Sequence, residues 1–157
     1  MRVVVDKAQS RGYANHGWLK THHTFSFANY YNPERVHFGM LRVLNDDSVA
    51  PGEGFDMHPT SEKNKLSLII APDGSAPASI NQDAWFSLGN LDAGQVKEYK
   101  LHSKNNGVYL FVIDGEVEVS NTILSKRDGA GFWETDGITI EVLKHAKVLL
   151  IEVPMMK

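Results

Sequence analysis

The sequence predicts an all-β protein, a sandwich or barrel of short strands. Three observations carry this. Apolar and polar residues alternate in short runs, as where Val117 and Val119 point one way and Glu116 and Glu118 the other, the period-two pattern of a half-buried strand. Turn signals punctuate the second half at Pro72-Asp73-Gly74, Asp92-Ala93-Gly94, Asp114-Gly115, Asp128-Gly129 and Asp136-Gly137, the spacing of strands in a sandwich or barrel. No segment sustains a helical period.

The elements follow in order. Residues 2–5 form the first predicted strand. Residues 11–18, with two glycines and an asparagine, predict a loop. Thr24-Phe25-Ser26-Phe27 alternates, which puts Phe25 and Phe27 on one buried face, and Tyr30-Tyr31-Asn32-Pro33 stops it. Residues 38–44 predict another strand. Asn45-Asp46-Asp47 and Pro51-Gly52-Glu53-Gly54 predict turns around Val49. Beyond these come strands at 66–70, 84–88 and 96–101, then a hairpin of 108–113 and 116–119 about Asp114-Gly115, a favoured two-residue turn. Strands at 138–142 and 148–153 close the series.

Composition narrows the function. The 157 residues suggest one domain, or one with an appendage, able to bury its own core. There is no cysteine, which removes disulfides, thiolate metal sites and cysteine nucleophiles and fits a cytoplasmic location. The net charge is −3 and the basic residues are scattered, so direct nucleic-acid binding is not expected. The N-terminus has no signal-peptide pattern and no apolar run reaches membrane-spanning length. There is no G-x-S-x-G elbow and no phosphate loop. Asn45-Asp46-Asp47 lacks the spacing of a calcium loop and is assigned to turn chemistry.

Residues 1–60 hold five of the seven histidines and many aromatics. Their order is specific: Arg11-Gly12, Ala14-Asn15-His16-Gly17-Trp18-Leu19, His23-Thr24-Phe25-Ser26-Phe27-Ala28-Asn29-Tyr30-Tyr31, Phe38-Gly39, Leu41-Arg42-Val43, Gly54-Phe55 and His58-Pro59. This run closely resembles the opening of the pirin family, the two-barrel cupins. Residues from about 66 to 154, with Val112-Ile113-Asp114-Gly115 and the ending Leu149-Leu150-Ile151-Glu152-Val153-Pro154, resemble the second barrel of bacterial pirins more loosely.

The resemblance implies a single cupin barrel, a double-stranded β-helix or jelly roll, over residues 61–157. Residues 1–60 would be pirin-like strands and loops, the remnant of a first barrel. In that family the first barrel carries iron on three histidines and a glutamate. His58 matches the first ligand position, Thr60 stands where the second histidine belongs, and the segment bearing the third histidine and the glutamate has no counterpart. The chain thus resembles a truncated form with His58 as a vestigial ligand position, and neither a metal, a cofactor nor a catalytic residue is expected.

The expected function is that of a non-catalytic, metal-free protein acting through protein contacts, regulating a metabolic enzyme or a transcription complex. The alternative is a quercetin dioxygenase-like enzyme whose metal site is rebuilt at a dimer interface from His58, His23 or His16, with Asp56 or Glu62 in place of the glutamate. A third reading is a small-molecule-binding barrel. Trp18, Phe25, Phe27, Tyr30 and Tyr31 are the interface candidates, because strands that lost their barrel need another cover; a homodimer through the N-terminal strands would supply it. His22 and His23 alternate on a strand and face opposite ways. The histidines at 16, 22, 23, 102 and 145 are expected to be hydrogen-bonded in loops.

Overall fold

The computed structural model describes residues 1–51 and 62–156. Twelve strands and one 3-10 turn (Ala8–Ser10) make up the regular structure. The strands are β1 (Arg2–Asp6), β2 (Gly12–Asn15), β3 (Leu19–His23), β4 (Asn45–Val49), β5 (Leu66–Ala71), β6 (Ala78–Ser79), β7 (Trp85–Leu91), β8 (Val96–Lys100), β9 (Asn106–Val119), β10 (Thr122–Ser125), β11 (Gly129–Trp133) and β12 (Gly137–Pro154). Nine of them form a large jelly-roll-like sheet in the order β1-β11-β9-β12-β7-β5-β6, with β10 on β9 and β8 on β12. The remaining three form a small sheet, β2-β3-β4. This is a cupin core with extra N-terminal strands. No helix among the described residues is long and apolar enough to cross a membrane.

The barrel is organised by β9 and β12, which pair antiparallel from Ile140↔Val119 to Pro154↔Asn106. The anticipated hairpin at Asp114-Gly115 does not form, because β9 runs straight through it. Its partner supplies the reason. The pairing shifts register between Val142 and Val148 and resumes on both sides, so long-range pairing overrides the local turn signal and the Asp-Gly pair becomes a bend in a continuous strand. Gly115 takes φ +86°, and a Cβ there would overlap the His145 carbonyl oxygen. The two strands expected at 138–142 and 148–153 are one strand for the same reason.

Alternation along these strands builds two cores. Val108, Leu110 and Val112 of β9 and Val148 and Leu150 of β12 fill the barrel interior. Tyr109 and Phe111 of β9 and Ile151 and Val153 of β12 face outward, where Phe25 and Phe38 cover them. Phe25 and Phe38 meet the Tyr109 ring edge-on at 5.8 and 5.6 Å. Burying each phenylalanine contributes about 1.5–3 kcal/mol.

The N-terminal third departs most from its sequence reading. The loop expected at 11–18 contains β2, held by β3 with Gly12 opposite His23 and Asn15 opposite Lys20. The turn expected at Asn45-Asp46-Asp47 is the start of edge strand β4, whose Asp46 faces His22. The strand expected at 24–27 is irregular. Phe27 and Tyr30 exchange backbone hydrogen bonds around Ala28, which has φ +50°. That tight turn sends Phe27 outward, 42% exposed, while Phe25 is 1% exposed. Residues 38–44 give only a bridge between Phe38 and Leu41, closed around Gly39 at φ +53°. Of the turn expected at 51–54, residues 52–54 lie outside the described residues.

Candidate functional site

A pocket of about 460 Å³ opens on one face of the small sheet. Strand register decides which side chains enter it. Gly12, His23 and Asn45 lie across from one another, as do Ala14, Thr21 and Asp47; with period two these six share a face. Glycine and alanine on β2 leave the space. Tyr30 lies over Gly12, where a Cβ would overlap its ring. Tyr13, Phe27 and His16 complete the rim.

His23 is the best-defined polar group in the pocket. Its side chain is buried, with the residue 3% exposed. Nδ1 lies 3.0 Å from Asn45 Oδ1, and the ring packs against Phe27 at 5.2 Å and Tyr30 at 6.3 Å. Thr21 Oγ1 is buried without a hydrogen-bond partner among the described residues. His22 belongs to the other face, against the Tyr13 ring at 5.0 Å, as strand parity requires. His16 is exposed at the rim.

The interface candidates separate. Phe25 is covered inside its own chain by the barrel's outer face. Tyr30 is half-buried on Gly12. Trp18 and Tyr31 are 53% and 74% exposed. His58, Asp56 and Thr60 lie outside the described residues. Glu62 is exposed and ion-paired with Lys65. Among the described residues no three His, Asp or Glu side chains converge to hold a metal ion. Iron of the family's kind needs about three such donors on one face, so the described residues do not fit that metal alone.

A second polar cluster went unnoticed in the sequence. Glu152 is fully buried. It accepts hydrogen bonds from Tyr99 Oη at 2.8 Å, the His102 amide at 2.8 Å and Asn106 Nδ2 at 2.7 Å, and pairs with His102 Nδ1 at 2.8 Å. His102 stacks flat on Trp85 at 4.5 Å. Burial, and then the Glu152 charge, push the Tyr99 phenol far above its ordinary range. Both carboxylate oxygens are fully engaged, so the cluster fixes geometry. The available signal was parity, since Glu152 continues the inward series of Val148 and Leu150. His145 pairs with Asp92 at 3.1 Å.

Residues 68–153 match the family model described as the quercetinase C-terminal cupin domain. The quercetin 2,3-dioxygenase of Escherichia coli K12 is 40% identical over 106 residues, 68% of this chain and 42% of that protein. A putative quercetin 2,3-dioxygenase of Pasteurella multocida is 33% identical over 142 residues, 83% of this chain and 58% of the relative. The chain therefore spans about two-fifths to three-fifths of these relatives' length. The crystal structure of the bacterial pirin YhhW from Escherichia coli with nickel(II) superposes with a TM-score of 0.88 at 23% identity, over 99% of this chain and 100% of that one, which supports the fold.

These relatives overturn the expectation of a non-catalytic, metal-free protein that works only through protein contacts, and with it the expectation that enzymatic activity is lost. The same family includes proteins named quercetin 2,3-dioxygenases. The expectation came from Thr60 standing at the second histidine's position and from the missing counterpart of the segment with the third histidine and the glutamate; His58 and Thr60 lie outside the described residues.

Proposed function

The chain belongs to the family of the quercetinase C-terminal cupin domain, and from that premise we propose that it is a metal-dependent dioxygenase acting on flavonols of the quercetin type. The observation that carries this reading is the pocket on the small sheet. Two aromatic rings, from Phe27 and Tyr30, flank a short row of polar groups from His23, Asn45 and Asp47. Such a mostly apolar cleft with a few placed polar groups suits a flat hydroxylated aromatic molecule.

In this reading β2, β3 and β4 are the remnant of a first barrel, which accords with the share of the relatives' length that the chain spans. The metal site would be rebuilt at a dimer interface from His58, His23 or His16, with Asp56 or Glu62 in place of the glutamate; of these, His58 and Asp56 lie outside the described residues. A homodimer also accounts for the exposed Trp18, Phe27 and Tyr31, and for the edges of β2 and β4, which have no strand partner among the described residues.

The test uses protein purified without a histidine tag. Elemental analysis should find about one metal ion per chain, the loading expected of a few-ligand imidazole and carboxylate site, and quercetin should be consumed aerobically. Light scattering should give the mass of a dimer. Metal-loaded protein that leaves quercetin intact would sink the reading.

A further inference from the structure

We propose that Asp47 decides which ligand the pocket takes: its carboxylate accepts hydrogen bonds from the adjacent hydroxyls of a neutral catechol ring and turns away a ring that carries a negative charge. This role rests on the site reading above and names the part of the flavonol that is gripped. Among the described residues that line the pocket, Asp47 is the only aspartate or glutamate, and there is no lysine or arginine to offset it.

The neighbouring residue shows what a structural aspartate looks like here. Asp46 lies on the other face of the small sheet, opposite His22, and is held by Arg11 Nη2 at 3.3 Å and Arg127 Nη1 at 2.9 Å. Asp47 lies opposite Thr21 on the pocket face and is exposed. No hydrogen bond or ion pair engages its carboxylate among the described residues, in contrast to that of Asp46. A carboxylate is acceptor-only, and its two oxygens can take two donors at once. Nothing in the fold uses that capacity; a ligand with adjacent O–H groups would.

Strand register gives the fit. The row of Asn45, His23 and Gly12 and the row of Asp47, Thr21 and Ala14 run side by side on this face, about 7 Å apart along the strands. Phe27 and Tyr30 pack beside His23 in the first row, so a flat ring lying against them extends its far edge toward the second. In that row Ala14 is small and the Thr21 hydroxyl is buried, which leaves Asp47 as the polar group the edge meets. No bond is made or broken: Asp47 touches the ligand, holds it and orients it. A ligand anion in the same place would face a like charge with no cation beside it. Selection thus comes from repulsion as well as attraction.

The experiment measures binding to the full chain as purified, by isothermal titration calorimetry without oxygen, so that no ligand is consumed. Quercetin carries two adjacent hydroxyls on its pendant ring, kaempferol one and galangin none. The wild type should bind them in that order, with about tenfold between quercetin and galangin, the loss of charge-assisted hydrogen bonds. It should bind quercetin sulfonated on that ring about tenfold more weakly than quercetin, or worse, because like charges are juxtaposed. Asp47→Asn should flatten both differences, and Asp47→Glu, which keeps the carboxylate, should retain the order. Circular dichroism checks each fold; should Asp47→Asn fail to fold, Asp47→Ser takes its place. Equal affinity of the wild type for the three flavonols, or an order and a sulfonate penalty that survive in Asp47→Asn, would overturn the proposal. Aerobic turnover of quercetin by protein that shows no such order would discard the role of Asp47 and leave the dioxygenase reading standing. The order, lost in Asp47→Asn, without turnover by metal-loaded protein would do the reverse.

Discussion

The Tyr109 hydroxyl donates a 2.7 Å hydrogen bond to Asp6 Oδ2, across 103 positions of sequence. Asp6 also receives Arg35, through Nε at 2.7 Å and through Nη2. One carboxylate thereby ties three parts of the chain together: the first strand, the loop under Phe25, and the central barrel strand β9. Arg35 also lies over the Phe25 ring at 5.2 Å. Burial, and then the Asp6 charge, hold the Tyr109 phenol well above its ordinary range, so it remains the donor.

Removing single members of this knot should cost unequal amounts. Tyr109→Phe leaves Asp6 still paired with Arg35 and should cost about 1–2 kcal/mol. Asp6→Ala leaves a mostly buried guanidinium without its carboxylate and should cost about 3–5 kcal/mol. Urea unfolding of the two variants measures the difference, and equal losses would show that Arg35 finds another partner.

Asp128 makes an acid-sensitive tie. Burial alone would raise its carboxyl. Hydrogen bonds from Lys7 Nζ, and then from the amides of Ala8 and Ser125, outweigh that and hold it below its ordinary value of 3.8. A lowered folded value means stabilisation that is complete above the unfolded value and is lost as pH falls through the folded one. Asp128→Asn should therefore be less stable than wild type at neutral pH, by about 1 kcal/mol. The gap should close as pH drops below 3.8. Thermal unfolding across acidic pH checks this, and a gap that persisted at the acid end would contradict it.

Glycines separate conformational strain from crowding. Gly94 and Gly115 share positive φ, at +84° and +86°, but nothing lies within 4 Å of a Cβ on Gly94, whereas one on Gly115 overlaps the His145 carbonyl. Gly94→Ala should cost about 1 kcal/mol for the left-handed backbone alone. Gly115→Ala should cost clearly more, since two bulged strands must move apart. Comparable unfolding midpoints for the two would show that the bend between β9 and β12 is soft.

Glu152 tests how far the barrel depends on its buried carboxylate. Glu152→Gln replaces one acceptor oxygen with a donor facing donors from Tyr99 and His102 or from His102 and Asn106. It should cost about 2–4 kcal/mol by chemical denaturation. A neutral outcome would mean that the donors find other acceptors.

What was legible in the sequence follows from what sets each element locally. Val117 and Val119 announced their strand because barrel burial imposes the alternation that a reader looks for. Asp114-Gly115 misled because its geometry is decided by β12, far away in sequence, and the left-handed residue serves a bend as readily as a turn. Asn45, Asp46 and Asp47 carry polar side chains on an edge strand, so nothing in their composition distinguishes strand from turn. Phe27 left the face it shares by parity with Phe25 because Ala28 turns the chain. The pocket was legible only in part. His23 is, in the sequence, only one of several histidines expected to be hydrogen-bonded in loops; its place on β3, its pairing with Asn45 and its position beside Thr21 depend on the register of three strands.

The most direct test of the central claim is oxygen uptake. An oxygen electrode follows metal-loaded, tag-free protein as quercetin is added. The account predicts uptake of one molecule of oxygen for each quercetin consumed, abolished by prior chelation and restored by returning the metal. No uptake from fully loaded dimeric protein would contradict it.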